Sequence, residues 1–459
     1  MFLVLAALPL GTVPYPVRAS LGLLVWMAWW WVAEPVHLAV TAFLPIVVLA
    51  IFNFMPVSAI LPAYSEQLVI LIIGANTLAT LWKRWGLDRR IALVSLLGLG
   101  TGTRQHLVAW FVIAAVLSSV LPNAVVSAAM MPIVIAMLRY IGIEDIGKSA
   151  FGSALLIAVA WGTSVGGAGT PLGGAHNLLA VQFIERELID HEFLFTTWLG
   201  RVLPLTVLLC VASALFMRYG LTPEIEQVPG SRSYFKEQLS GMGTLSTPER
   251  WGLLLFSAAT LLAFTRQLYA GVLPGLAPAF VFLSFAVISF VVRYRGQPLL
   301  TWQYAEQHMV WGLIYLFAGG SALGQVLSET GAAKFLAERL VPLASDGGFV
   351  AIAVFSLLSM AVTQITSNTA TVAIMVPITI STFQGLELNP VPFVYLVTTA
   401  ANCGLALPAA SAGPAIAAGY GVNLKTMLIQ GIYLSAILWI LIVLAGYLAW
   451  RFWPGLAVA

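Results

Sequence analysis

The chain has 459 residues, of which 60% are hydrophobic and 8% are charged, and its mean hydropathy is +0.96. A soluble protein needs about 25% charged residues to cover its surface, so this composition excludes a soluble globular protein. The net charge of +3 is too small to indicate a nucleic-acid partner. We therefore expect an all-α polytopic protein in the lipid bilayer, a multi-pass protein of the cell inner (plasma) membrane.

Charged residues and Gly/Pro breaks divide the chain into apolar stretches that predict about 11 transmembrane segments. In chain order we expect N-terminal scaffold helices at 1–65 and a first repeat at 66–220, which contains a hairpin at 106–139 and a broken helix at 149–183. A cytoplasmic linker at 221–250 and scaffold helices at 251–310 follow. The second repeat, at 311–459, contains a hairpin at 348–384 and a broken helix at 390–419. Each repeat thus pairs one hairpin with one broken helix.

Each predicted hairpin has a polar tip inside an apolar run. The tips lie in LPNAVVSAAMMPI at 121–133 and in ITSNTATVAIMVPI at 365–378. Amides and hydroxyls persist in hydrocarbon mainly where they line a cavity or meet a solute, because each unpaired group costs free energy. Since the arms are shorter than the roughly 20 residues of a spanning helix, we expect re-entrant hairpins whose tips, at Asn123 and Asn368, contribute to a binding site.

The two halves of the chain form an internal repeat. The offset of 245 residues between the tip asparagines (123 to 368) also relates Pro132 to Pro377, and it relates glycines near the start of each repeat. The positive-inside rule places the basic cluster at 83–90 in the cytoplasm. Five predicted crossings, an odd number, separate Gly74 from Gly319, so the second repeat is expected to be inverted relative to the first. Inverted repeats with broken helices and a midplane site are typical of secondary transporters. The alternative is a helical bundle in which small polar residues only join helices.

The broken helices contain SVGGAGTPLGGAHN at 164–177 and LPAASAGPAIAAGYG at 407–421. Their glycines and prolines interrupt the helix, so carbonyl groups are freed to bind a cation, and the helix that restarts points its positive N-terminus at an anion. Lys and Arg are missing from both tips and both breaks. The pattern therefore predicts that hydroxyls, amides and helix ends hold an anion beside a cation.

Five stretches carry a resemblance to a known family: WMAWWWVAEPVHLAVTAFLPIVV at 26–48, YSEQLVILIIGANTLATLWKRWGLDRRIAL at 64–93, WGLIYLFAGGSALGQVLSETG at 311–331, SNTAT at 367–371 and LPAASAGPAIAAGYG at 407–421. With them the chain resembles the divalent anion:sodium symporter family, the dicarboxylate, citrate and sulfate carriers of the ion transporter superfamily. The resemblance covers essentially the whole chain. It implies a homodimer, an elevator mechanism, and Na+-coupled symport of a small anion such as a dicarboxylate or sulfate.

The resemblance also implies site residues, position by position. Sodium ligands fall at Ser118, Asn123 and Gly173 in the first repeat and at Thr363, Thr366, Asn368 and Ala410 in the second. Substrate contacts fall at Asn123, Ser367, Asn368, Thr369 and Ser411. In this scheme sodium binds first and shapes the hairpin tips into an anion pocket.

The first repeat departs from the family pattern. The family tip Ser-Asn-Thr is replaced by Pro122, Asn123 and Ala124, and the family tetrad Thr-Pro-Pro-Asn is replaced by GAHN at 174–177, so polar ligands are lost. His176 lies in this break, where its imidazole either hydrogen-bonds a freed carbonyl or takes part in coupling and substrate binding. A proton-coupled carrier, exchanger or efflux system for another anion is therefore the alternative function.

A different class of function, an intramembrane enzyme, needs a nucleophile with a base or a metal cluster. The sequence has no HExxH motif and no paired membrane aspartates, so we expect a transporter and not an enzyme. A channel is disfavoured because two opposed hairpins resemble alternating gates rather than a permanent pore.

Overall fold

The computed structural model describes residues 13–33, 35–97, 100–228, 230–340 and 348–457, so the first twelve residues of the scaffold stretch expected at 1–65 lie outside the described residues. Within these ranges the regular structure is helical apart from a short antiparallel ladder, formed by β1 (Arg293–Tyr294) and β2 (Gln297–Pro298), and a single antiparallel bridge between Gly102 and Gln227. The prediction of an almost entirely helical protein is confirmed.

The helices are numbered here in chain order, without the short 3₁₀ turns. As far as the start of the second repeat they are α1 (Tyr15–Ala33), α2 (Leu38–Thr41), α3 (Leu44–Phe52), α4 (Val57–Ile60), α5 (Gln67–Trp85), α6 (Leu87–Leu96), α7 (Thr103–Ser118), α8 (Asn123–Tyr140), α9 (Ala150–Gly166), α10 (Ala175–Glu187), α11 (Phe195–Tyr219), α12 (Ser231–Gly241), α13 (Thr247–Phe264), α14 (Arg266–Tyr269), α15 (Pro278–Val291) and α16 (Trp302–His308). The remaining helices are α17 (Trp311–Glu329), α18 (Ala332–Leu340), α19 (Phe349–Ile365), α20 (Asn368–Gly385), α21 (Val391–Ala401), α22 (Ala412–Gly419) and α23 (Leu424–Phe452).

Several helices have the length and composition of membrane spans. In the described ranges five stretches are long and apolar enough to cross a bilayer: Val57–Trp85, Asn123–Tyr140, Ala150–Gly169, Phe195–Tyr219 and Leu424–Phe452. A sixth is formed if α16 and α17, which meet at 63°, are counted as one bent span. These helices fit a polytopic membrane protein, and the count of about 11 segments stays a prediction.

Both hairpins restart at the tip asparagine. The second arms, α8 and α20, have both of their ends 245 residues apart (123 to 368 and 140 to 385). At the second tip Ser367 caps the helix, because its Oγ accepts a hydrogen bond from Ala370 N at 3.2 Å. The first tip has Pro122 in that position, which offers no side-chain acceptor. The sequence repeat is thus a structural repeat, with one capped and one uncapped tip.

Both broken helices are interrupted close to glycine and proline. The helix α9 ends at Gly166 and α10 restarts at Ala175, whereas α21 ends at Ala401 and α22 restarts at Ala412. A 3₁₀ turn that begins with proline precedes each restart. These turns are 237 residues apart (171 to 408), and so are the restarts (175 to 412). The second repeat is therefore eight residues shorter between its hairpin and its break (245 against 237).

The two repeats pack across each other. The restarted helix of each repeat lies on the second hairpin arm of the other, α10 on α20 and α22 on α8. Within a repeat, α7 lies along α9, and α19 along α21. The backbones of α7 and α9 come very close at Gly166, where a Cβ atom would lie 2.3 Å from Ala115 Cα. Each tip and each break consequently meet near the centre of the molecule.

A second group of helices surrounds these elements. The helices α5, α13 and α15 pack together, and α17 packs against α1 to α4. A buried ion pair ties α6 to the start of α13, with Arg90 Nε 2.5 Å from Glu249 Oε1. The Arg90 guanidinium also donates to two backbone carbonyls. These contacts hold the segment that follows the linker against the helices before the first hairpin.

Candidate functional site

A cavity of about 460 Å³ lies where the two hairpin tips meet the two helix breaks. Its lining includes all six residues proposed from the sequence for substrate binding, namely Asn123, His176, Ser367, Asn368, Thr369 and Ser411. The facing wall comes from Gly312, Leu313 and Leu316 of α17, together with His37 and Leu38. Among the described residues no Lys, Arg, Asp or Glu lines this cavity.

Four helices begin at the cavity. The first residues of α8, α10, α20 and α22 are Asn123, Ala175, Asn368 and Ala412, and all four line it. The first N–H groups of a helix have no partner within the helix, and its N-terminus carries roughly half a positive charge. Four such ends around one space favour an anion without any charged side chain. Hydroxyl groups in the lining add neutral donors.

Asn368 is held by three oxygen atoms at the back of the second tip. One end of its side-chain amide lies 2.9 Å from Thr363 Oγ1, 3.0 Å from Ala401 O and 2.8 Å from Ala410 O. Because all three neighbours are oxygens, the amide nitrogen is assigned to this end and donates to them. Thr363 Oγ1 in turn donates to Ala401 O at 2.8 Å. The tip asparagine thereby connects the hairpin to both sides of the second break.

These oxygens fit the sodium site expected in the second repeat. Thr363, Asn368 and Ala410 all contribute to the cluster, and Thr366 Oγ1 is buried without a hydrogen-bond partner in the part of the chain that the structure describes. A small hard cation prefers hydroxyl, amide and carbonyl oxygens, and a buried hydroxyl without a partner costs free energy. A rotation of the Asn368 amide would present its oxygen to the same point.

The first repeat contains a similar but sparser arrangement. Ser118 Oγ donates to Thr163 O at 2.8 Å, as Thr363 donates to the second broken helix. A Cβ atom on Gly173 would lie 2.3 Å from Gly167 O and 2.6 Å from Ser118 O, so only glycine fits between these two carbonyl groups. Asn123 lines the cavity between the tips, as Asn368 does. The structure thus places Ser118 and Gly173 together, with Asn123 on the cavity side.

Many carbonyl groups freed by the breaks already have side-chain donors. In the first break Asn177 Nδ2 donates to Gly167 O at 2.7 Å and to Thr170 O at 2.8 Å. In the second break Trp161 Nε1 donates to Leu405 O at 2.8 Å. The breaks are therefore stabilised by buried polar side chains, and fewer carbonyls are open to a cation than the sequence pattern suggested.

Gln364 and Asn402 are amide side chains at the second break that the sequence pattern did not single out. Gln364 Oε1 accepts from Leu405 N at 3.1 Å and Ala406 N at 2.9 Å, and its Nε2 donates to Cys403 O at 3.0 Å. The signal available in the sequence was an uncharged amide inside an apolar run, next to a tip or a break.

His176 is buried and makes a hydrogen bond to the other repeat. Its Nε2 lies 2.6 Å from Asn402 Oδ1, so the partner is a side-chain amide and not the freed backbone carbonyl that one interpretation of the sequence expected. The ring folds back over Gly174, where a Cβ atom would lie 2.1 Å from its Cε1. A second hydroxyl contact between the repeats, Ser164 Oγ to Ser411 Oγ at 2.8 Å, lies beside the cavity.

A larger cavity, of about 590 Å³, lies between the start of α5, the end of α10 and the start of α15. Its lining includes Glu66, Glu185, Asp190 and Glu192. Carboxylates repel an anion, so this space is unsuited to the substrate class inferred from the central cavity. Of the two cavities, the one between the tips therefore has the lining better suited to an anion.

Comparison with known proteins gives matches along nearly the whole chain. The family described as the sodium:sulfate symporter transmembrane region matches residues 1–456. The sodium-dependent dicarboxylate transporter SdcS of Staphylococcus saprophyticus is 26% identical over 442 residues, which are 93% of this chain and 85% of the relative. The family and the relative are both named as transporters of anions, which agrees with the geometry of the cavity.

Solved structures show the same general fold. The YdaH transporter of Alcanivorax borkumensis aligns with a TM-score of 0.57 and 13% identity, over 96% of this chain and all of its own. MtrF of Neisseria gonorrhoeae, described among antimetabolite efflux pumps, aligns with a TM-score of 0.60 and 14% identity, over 98% of this chain and 97% of its own. At such low identity the likeness supports a transporter fold alone.

Proposed function

Because the chain belongs to the sodium:sulfate symporter family and is a membrane transporter rather than an enzyme, we propose that it is a secondary active carrier that couples import of a small anion to sodium entry. The substrate class that we propose is a dicarboxylate or sulfate. The observation that carries this proposal is the convergence of four helix N-termini on one cavity without charged side chains.

The cavity chemistry suits such an anion. Hydroxyls of Ser367, Thr369 and Ser411 and the amide of Asn123 lie where they can donate to carboxylate or sulfate oxygens. A volume of 460 Å³ is room for roughly fifteen groups the size of a water molecule, so a dicarboxylate fits with some water. The apolar wall from α17 closes the space on the other side and lowers the local dielectric constant.

We assign sodium coupling to the Asn368 amide. In the structure the amide nitrogen donates to Thr363, Ala401 and Ala410. Thr363, Thr366, Asn368 and Ala410 would hold the sodium ion, and the Asn368 amide would turn its oxygen toward the ion and its nitrogen toward the anion cavity. Binding of the cation thereby adds a donor for the anion, which links the two affinities reciprocally. The first-repeat site at Ser118, Asn123 and Gly173 would act in parallel with fewer ligands.

The transport motion that we propose is an elevator. The hairpins and broken helices of both repeats, within 66–220 and 311–459, would move as one transport domain, because α10 lies on α20 and α22 lies on α8. Helices from 1–65 and 251–310 would form the scaffold, with 221–250 as a cytoplasmic linker, in a homodimer of the plasma membrane with about 11 segments per chain. Inverted repeats support this division, since they give two exchangeable states.

A second candidate function is proton-coupled transport or exchange of another anion. The hydrogen bond between His176 and Asn402 favours this second function, because it links an imidazole of the first repeat, which lines the anion cavity, to the second repeat. Protonation of that ring would change the cavity charge without any metal ion.

The test is thermal stability of the purified protein with succinate, citrate, aspartate, sulfate or phosphate, with and without sodium, at pH 6 and 8. A ligand that binds only the folded state raises the unfolding temperature. We expect a dicarboxylate or sulfate to stabilise the protein only when sodium is present. Stabilisation that depends on pH and not on sodium would favour the proton-coupled alternative, and stabilisation by no anion would contradict both.

A further inference from the structure

A groove of about 240 Å³ lies between α11, α21 and α23, away from the central cavity. Its apolar part is lined by Pro204, Leu205 and Leu208 of α11 and by Leu396 and Ala449 of the other two helices. At about 30 Å³ for each water-sized group, the space holds roughly eight such groups. It therefore takes part of one hydrocarbon chain and not a whole lipid.

One end of the groove carries a positive charge that has no acidic partner. Arg201 lines the groove, its Nε is buried without a hydrogen-bond partner, and no described carboxylate lies within the 4.0 Å of an ion pair. Its guanidinium carbon lies 5.3 Å from the centre of the Trp453 ring, so the ring holds the charge in place. Arg201 as a whole is half-buried, and a partly desolvated cation without an anion is costly, which indicates that an anionic group completes this end.

A second polar group points to the same ligand. Tyr395 lines the groove and is 2% exposed, and its hydroxyl has no hydrogen-bond partner within the described residues. A buried tyrosine hydroxyl normally finds a partner. A phosphate or ester oxygen next to Arg201 would supply one.

The helices around the groove carry exposed apolar side chains, as lipid-facing helices do. On α11 the side chains of Val207, Val211 and Leu215 are exposed, and on α23 those of Leu444 and Leu448 are exposed. Both helices have the length and composition of membrane spans. An acyl chain can therefore enter the groove from the bilayer, whereas a soluble anion would find an apolar wall.

We propose that this groove binds an anionic phospholipid, with one acyl chain against the apolar wall and the phosphate at Arg201. Charge complementarity selects the headgroup, because Arg201 is the one charged residue of the described lining. Because α11 packs on α7 and α23 packs on α19, the first arms of the two hairpins, the lipid binds beside the hairpins. The binding itself does not depend on which solute is carried.

The test uses the full-length protein in detergent, with phosphatidylglycerol or phosphatidylcholine of matched acyl chains added. Native mass spectrometry counts retained lipids, and thermal unfolding measures stabilisation. We expect phosphatidylglycerol to be retained at least about fivefold more and to raise the unfolding temperature by at least about 2 °C. Arg201→Gln should remove this preference. The matched control is Arg218→Gln, since Arg218 lies near the other end of α11, over Tyr219, and should leave the preference unchanged.

A second variant keeps the proposal testable if Arg201→Gln does not fold. Ala449→Leu places extra carbon atoms in the groove and should reduce retention of phosphatidylglycerol while the arginine stays in place. Equal retention of both lipids by the unchanged protein, or an equal loss in the Arg218 variant, would overturn the proposal. Stabilisation by glycerol 3-phosphate to the same extent as by the lipid would show a soluble-anion site and would overturn it as well.

Discussion

The imidazole Nε2 of His176 lies 2.6 Å from Oδ1 of Asn402, and this hydrogen bond joins the first broken helix to the second. Both residues are almost fully buried. The contact places an ionisable ring at the anion cavity and fixes the relative position of the two breaks. Its removal consequently tests stability and coupling together.

Loss of the imidazole should destabilise the fold. In His176→Ala the Asn402 oxygen loses its donor inside an apolar region, and we expect the free energy of unfolding to fall by about 1–3 kcal/mol. His176→Gln retains a donor and should recover part of the loss. Thermal unfolding in detergent measures both. The proton-coupled alternative is supported if transport by the unchanged protein does not depend on sodium and transport by His176→Gln no longer depends on pH. An unchanged unfolding temperature in His176→Ala would contradict the structural role of the imidazole.

The coupling role of the second tip can be tested at Asn368. Asn368→Ala removes an amide that contacts three oxygens, and we expect the apparent sodium affinity to fall by about 10- to 100-fold, with an equal effect on sodium-dependent anion binding. Titration of sodium in the thermal assay and in proteoliposome uptake measures this. Asn389→Ala is the control, because Asn389 is exposed and its amide donates to Ala457 O, far from the tips and breaks. Equal sodium affinity in both variants would argue against the assigned site.

The close approach of α7 and α9 should tolerate no side chain. Gly166→Ala would place a Cβ atom 2.3 Å from Ala115 Cα, within the backbone of the facing helix, so we expect a loss of about 1–3 kcal/mol or failure to fold. Gly200→Ala, in the interior of α11 with no neighbour within 4 Å of the added carbon, should be neutral or stabilise by up to about 1 kcal/mol. Comparison of unfolding temperatures separates steric collision from helix propensity. A similar change in both variants would contradict the packing described.

The buried ion pair should contribute strongly to the stability of the second helix group. Arg90→Gln leaves Glu249 charged and buried, and the expected loss is about 3–5 kcal/mol. Arg89→Gln removes an exposed neighbour that bonds Gln238 and should cost less than about 1 kcal/mol. Chemical denaturation in detergent measures the free energy of unfolding of both variants. A similar loss of free energy in Arg90→Gln and Arg89→Gln would mean that burial of the ion pair has little influence.

The cavity of about 590 Å³ that is lined by Glu66, Glu185, Asp190 and Glu192 predicts that stability depends on pH. Burial raises the pKa of Glu185 to about 7, and the nearby charges of Glu192 and Glu66 add to this, although a hydrogen bond from Phe193 N opposes it. Between the ordinary pKa near 4.5 and about 7 the folded state binds more protons than the unfolded state, so stability falls as pH rises through this window.

Glu185→Gln should therefore flatten the stability curve between pH 5 and 8 and raise the unfolding temperature at pH 8 by a few degrees. Some slope should remain, because burial also raises the pKa of Glu187 to about 7. Glu237→Gln, at an exposed position, is the control. An unchanged slope in the Glu185 variant would contradict the prediction, as would an equal flattening in the control.

The sequence predicted the hairpin tips and the cavity lining well because their signals are local. Asn123 and Asn368 stand out as amides in apolar runs, and their spacing shows the repeat directly. The breaks were harder to compare, because the offset changes from 245 to 237 between hairpin and break, so residues such as Gly173 and Ala410 match only after eight positions are removed.

Contacts between the repeats could not be predicted in the same way. The donation from Trp161 to Leu405 O and the pairing of His176 with Asn402 arise where α10 and α22 lie on the opposite hairpins. No local pattern encodes that crossing. The orientation of the Asn368 amide likewise depends on three oxygens that belong to different segments.

The crossed packing has a consequence for biosynthesis. His176 and its partner Asn402 are 226 residues apart, and a ribosome adds about 5–20 residues per second, so the imidazole is synthesised roughly 10–45 s before its partner exists. During that interval the glycine-rich break of the first repeat enters the membrane with polar groups that hydrocarbon cannot satisfy. The nascent first half must therefore wait beside water or the insertion machinery, and a pause in translation between the repeats would lengthen the period in which it is open to degradation.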